Sequence, residues 1–138
     1  INTTNNNNTT NQPALSIDYF DAQRDGLTNS NSYHEYTVDI SDYQIAALLR
    51  TAVPIKHLSV FYFEVEDVSN DGVPVGQVFG GYYLEELTPD KPLVLHTTIQ
   101  GTFPTVAVGY YDKDEYVTYG IIMNGMDGSL ELTPVIIK

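Results

Sequence analysis

The sequence predicts an all-β fold, a single sandwich of about eight strands in an immunoglobulin-like or jelly-roll arrangement. Three observations carry that expectation. Short runs rich in β-branched and aromatic residues recur about every ten residues after Pro13, they alternate in polarity, and Gly, Asn, Asp and Pro punctuate them. The chain has 138 residues, enough for one domain with a core of its own.

In chain order, the opening stretch INTTNNNNTTNQP is polar and of low complexity, with too little apolar surface to offset the entropy of ordering it. Residues 1–13 therefore read as a disordered tether that follows a removed signal or anchor, and residues 14–138 as the sandwich domain. Asn2, Asn7 and Asn8 begin N-x-S/T triplets that permit glycosylation. An Asn/Thr-rich stretch also produces such triplets by chance, and the expected location is outside the cell, secreted or surface-exposed. In ALSIDYF, Leu15, Ile17 and Tyr19 share one face, and in YHEYTVDI, Tyr36, Val38 and Ile40 do. IKHLSVFYFEVE is apolar on both faces and reads as a central strand. QVFGGYYLEEL, PLVLHTTI, TVAVGYY, EYVTYGIIM and SLELTPVIIK complete the set, Pro134 marking the last as an edge or bulged strand.

One stretch departs from the strand pattern. SDYQIAALLRTAVP places Ile45, Leu48, Leu49, Ala52 and Val53 at helical spacing, which predicts a short helix near 42–53. Ser41 and Gln44 form a capping box, Asp42 lies in the first turn and Pro54 ends the helix. Asp71-Gly72, Asn124-Gly125 and Asp127-Gly128 predict tight turns that use glycine at positive φ.

Charge bounds function. Eighteen Asp and Glu against six Lys and Arg give a formal charge of −12, which argues against nucleic acid and against an anionic membrane surface. No apolar run is long enough to cross a membrane as a helix. The absence of cysteine removes disulfides, thiolate nucleophiles and cysteine-ligated zinc. Neither a G-x-S-x-G elbow nor a phosphate-binding glycine loop is present, and His34, His57 and His96 lie too far apart for a short metal motif.

Two constellations remain. Asp112, Asp114 and Glu115 form an acidic cluster whose oxygens suit calcium, with the 67–71 and 18–25 segments supplying further ligands if they meet at the same end. The four residues from Asp112 to Glu115 also make a solvated hairpin turn, which is the reading the sequence favours. The second is the tyrosines, eleven in a chain without tryptophan. Tyr82, Tyr83, Tyr110, Tyr111, Tyr116 and Tyr119 crowd the C-terminal half, and adjacent tyrosines on a strand must point to opposite faces. The outward ones are candidate anchors for a protein partner, ahead of a carbohydrate.

The expectation is a non-catalytic module displayed outside the cell that works through such contacts. The alternatives are a self-assembling subunit of a surface fibre or layer, calcium-dependent and donating its N-terminal arm as a strand, and a small carboxylate-based hydrolase.

Overall fold

The computed structural model describes residues 13–38, 44–99 and 103–138. The strands are β1 (Leu15–Tyr19), β2 (His34–Thr37), β3 (Gln44–Thr51), β4 (Ile55–Val68), β5 (Pro74–Leu87), β6 (Leu93–Thr98), β7 (Val106–Asp112), β8 (Glu115–Met123), β9 (Leu130–Pro134) and β10 (Ile136–Ile137). They form a four-stranded sheet, β1-β3-β6-β2, packed on a six-stranded one, β10-β5-β4-β7-β8-β9. The all-β sandwich read from the sequence is the fold. All eight expected strands are present, with the last divided between β9 and β10.

The helix expected near 42–53 is not there. Gln44–Thr51 is β3, paired antiparallel with both β1 and β6, while Ser41 and Asp42 lie outside the described residues. Ser30–Ser32 is the only helical turn among the described residues. The reason lies in what covers the strand. Ala47 and Leu49 face the larger sheet and join the main core. Leu48 faces the other way, into a second cluster with Leu27 and Val94, against which Phe20 and Tyr33 pack. The segment between β1 and β2 thus roofs the outer face of the smaller sheet. A strand buried on both faces needs an unbroken apolar run, and such a run satisfies helical spacing as readily as strand spacing.

The larger sheet curls back on itself. Only Val135 separates β9, at one edge, from β10, at the other, so one continuous run of chain pairs with β8 and then with β5. Thr118 clamps the bend: its backbone carbonyl accepts from Val135 N–H at 3.3 Å, and its hydroxyl donates to the Val135 carbonyl at 2.8 Å. Lys138 N–H then donates to the Gly76 carbonyl at 2.9 Å. Inside the curl sits a third cluster of Phe63, Ala107 and Val135, with Phe61, Val65, Val78 and Ile137 against it. β10 covers only Val75 and Gly76 of the β5 edge, and the rest of that edge has no paired strand among the described residues. The outward face of the curl carries Leu58, Val60, Val108 and Tyr110 into the main core opposite Leu15, Leu93 and Leu95.

Two irregularities shape the curl. Gly80 and Gly81, both at positive φ, form a bulge in β5 where the register with β4 shifts between Val60 and Tyr62. A Cβ on Gly81 would sit 2.0 Å from the Val60 carbonyl oxygen, so no other residue fits. In β4 the register with β7 slips between Lys56 and Ser59, and His57 stands in the slip at φ 58. That left-handed conformation is uncommon for a residue with a side chain and costs of order 1 kcal/mol or more.

Turn chemistry mostly follows the sequence. Gly72 at φ 83 closes the β4–β5 hairpin, its N–H donating to Ser69 O at 2.9 Å. In the β8–β9 turn Gly128 takes the positive φ and Gly125 does not, so Asp-Gly rather than Asn-Gly supplies that position.

Candidate functional site: an aromatic patch beside the β7–β8 turn

Asp112 to Glu115 is a two-residue hairpin loop. Asp112 pairs with Glu115, and Lys113 takes φ 61 at the turn. Register places the loop at the β4 start, since Lys56 lies opposite Tyr111. Asp67 to Asp71 lies at the far end of the same strand, roughly 35 Å of chain away at about 3.3 Å per residue. The structure therefore does not bring that segment to the acidic turn. The 18–25 segment runs the other way too: Tyr19, at the end of β1, donates its hydroxyl to Gly128 O at 2.6 Å in the β8–β9 turn. Among the described residues no three His, Asp or Glu side chains are grouped so as to hold a metal ion.

The six tyrosines divide by strand alternation. Tyr110 is fully buried, stacked on the half-buried Tyr119 with ring centroids 6.1 Å apart. Burial pushes its hydroxyl pKa strongly upward, and Tyr119 and Asp112 nearby add to the shift. The hydroxyl lies near the Leu15 backbone but makes no well-formed hydrogen bond there. Tyr82 is half-buried and stacks on Tyr36 at 4.5 Å, bridging the two sheets. Tyr82, Tyr110 and Tyr119 are thus packing residues rather than outward contacts.

Tyr83, Tyr111 and Tyr116 are the outward members, 56%, 43% and 42% exposed. They do not stand apart. Tyr111 meets Tyr116 edge-on at 5.1 Å, and the His57 ring meets Tyr111 edge-on at 5.6 Å. His57 Nδ1 and the Tyr83 hydroxyl are hydrogen-bonded at 2.5 Å. Four rings from β4, β5, β7 and β8 therefore form one continuous exposed patch on the inward-curling face, beyond the Phe63 cluster. Sequence reasoning missed His57, because the bulge that turns it outward depends on pairing with β7.

Two local features hold the patch. The Tyr116 ring lies over Gly109, where a Cβ would come within 2.2 Å of its hydroxyl oxygen. Ser59, opposite Gly109 in register, lies beside the Tyr116 hydroxyl. Burial is the main cause of the raised Tyr116 pKa, with Tyr111 adding to it and the nearby Ser59 opposing.

Beside the patch opens a cleft of about 480 Å3, lined by Pro54, Lys56, His57, Tyr111, Lys113 and Asp114. Its size is that of a small-molecule site. A second groove of about 470 Å3 lies elsewhere, between the end of β6 and β4, with the exposed Phe79 and Phe103 at its rim. His34 and His96 sit in neighbouring strands on the smaller sheet, where His96 Nε2 bonds Glu35 Oε2 at 2.6 Å.

No family model, curated protein or solved structure matches the chain. No helix among the described residues is long and apolar enough to cross a membrane.

Proposed function

We propose that this chain is a non-catalytic binding module displayed outside the cell, and that its contact surface is the patch of His57, Tyr83, Tyr111 and Tyr116. One observation carries the reading: four exposed rings from four strands touch one another. Scattered tyrosines would need no explanation, since single exposed aromatics are ordinary. A joined set supported by a left-handed His57 and by a glycine beneath Tyr116 does call for one. Strain and close packing of this kind are kept where a surface has work to do. Rigid amphipathic rings also bury area on binding at little entropic cost. Of the turn's three acidic residues only Asp114 lines the neighbouring cleft, where a two-carboxylate hydrolase would need a second carboxylate facing it.

The test is an array of extracellular proteins and glycans probed with the wild-type chain and with Tyr83→Ala/Tyr111→Ala/Tyr116→Ala. The expected result is a ligand that the wild type retains and the triple variant loses, with melting temperatures within a few degrees. A ligand held equally by both would move the contact surface elsewhere.

A strand-donating subunit is the second reading, and one observation bears on it. The outer edges of β1, β2 and β9, and that of β5 beyond Gly76, have no paired strand among the described residues, so a donated strand could pair there. Mass in solution separates the two readings, since a module stays monomeric where a subunit grows with concentration.

A further inference from the structure

We infer that the cleft beside the patch takes the carboxylate of an acidic saccharide. The inference rests on the contact-surface reading above and names its ligand class. The chain has six Lys and Arg against eighteen acids. Arg24 is paired with Asp25 at 3.2 Å and Lys138 with Glu66 at 2.9 Å, while Arg50 donates to the Asp25 carbonyl at 3.3 Å. Lys56, Lys91 and Lys113 have no ion pair among the described residues, although Glu86 stands opposite Lys56 in register; Lys91 lies apart, in the β5–β6 turn near His34, which leaves Lys56 and Lys113. Both line the same cleft, as does His57 of β4. Two lysines without an ion pair line one concave site against the single carboxylate of Asp114, a balance that favours a single anionic group there over the rest of this acidic surface. The surrounding negative field rejects a long polyanion at the same time.

The rest of the lining selects what carries the anion. A lone carboxylate would leave most of about 480 Å3 empty. Tyr111 supplies a flat apolar wall against which the C–H face of a sugar ring can rest, and His57 and Asp114 supply donors and acceptors for ring hydroxyls. A peptide bound by strand addition finds no footing. β4 lies between β5 and β7, and β7 between β4 and β8, so the cleft opens on a sheet face and not on an unpaired edge.

The experiment titrates the full chain with trigalacturonate, with neutral galactotriose and with hexaglutamate, following heat of binding and backbone amide shifts. Trigalacturonate is expected to bind and to shift residues 54–57 and 111–114, with galactotriose at least about tenfold weaker. Lys56→Gln with Lys113→Asn (asparagine tolerates the left-handed turn position) is expected to weaken trigalacturonate about tenfold, while Lys56→Arg retains binding. Equal binding of the neutral sugar, tighter binding of hexaglutamate at the same residues, or no shift with any probe would each overturn the inference. A patch-dependent ligand from the array would still stand in those cases, so failure here and failure of the contact-surface reading are distinct.

Discussion

Tyr110→Phe tests the division of the tyrosines into core and contact residues. Tyr110 is fully buried, and among the described residues its hydroxyl has no hydrogen-bond partner. A buried, unsatisfied hydroxyl costs about 1–3 kcal/mol. Removing its oxygen leaves a void on the order of 10–20 Å3, worth a few tenths of a kcal/mol at about 24 cal/mol per Å3. The Tyr119 stack is retained, because it depends on the rings alone. The net expectation is a gain of about 1 kcal/mol at pH 7, a rise of roughly 3 °C in midpoint for a domain of this size. Alkaline pH gives an independent arm. Burial raises the folded-state pKa above its unfolded value, so the stability tied to the proton is fully present below about pH 10 and is lost as pH climbs toward the folded value. The wild type should lose stability above pH 10 with a slope from this group of at most about 1.4 kcal/mol per pH unit, and the variant should lose that share. Urea melts at pH 7 and pH 10.5 measure both. A loss of more than about 1 kcal/mol at pH 7 would show that the hydroxyl has a productive partner and refute the reasoning.

Three further outcomes follow from the geometry. Gly109→Ala should cost about 1–3 kcal/mol in a urea melt and displace the Tyr116 ring signals from those of Tyr111, because its Cβ would meet the Tyr116 hydroxyl at 2.2 Å. His57→Gly should change stability by less than about 1 kcal/mol, since relief at φ 58 offsets the entropy of the added glycine, yet it should weaken whatever ligand the patch retains. Excess calcium against chelator should move the melting midpoint by less than about 1 °C, the acidic turn lying far along β4 from Asp67 to Asp71. A clear upward shift would make Asp112, Asp114 and Glu115 a metal site.

Strands and most turns were legible because their signals are local. Alternation required the two tyrosines of each adjacent pair to face opposite ways, and the structure gives the outward place to Tyr83 and Tyr111 rather than to Tyr82 and Tyr110. Asp71-Gly72 announced its hairpin through the φ that glycine supplies. Gln44–Thr51 misled because its cover, the segment from Phe20 to Tyr33, is distant in sequence, and nothing local tells a doubly buried strand from a helix. The curl of the larger sheet was hidden for a similar reason: it depends on β10 reaching β5, a pairing between residues about sixty apart. Within the candidate site the same division holds. Tyr111, Tyr116 and the turn lie together in the sequence, whereas Lys56 and His57 join them only through the β4–β7 register and its slip.

The most direct test of the central claim is a map of backbone amide and aromatic shift changes on adding the ligand that the wild-type chain retains from the array. The account predicts that the changes centre on His57, Tyr83, Tyr111 and Tyr116 and fade toward the β4–β5 and β8–β9 turns. Changes centred on the groove at Phe79 and Phe103, or along the edges of β1 and β2, would contradict it.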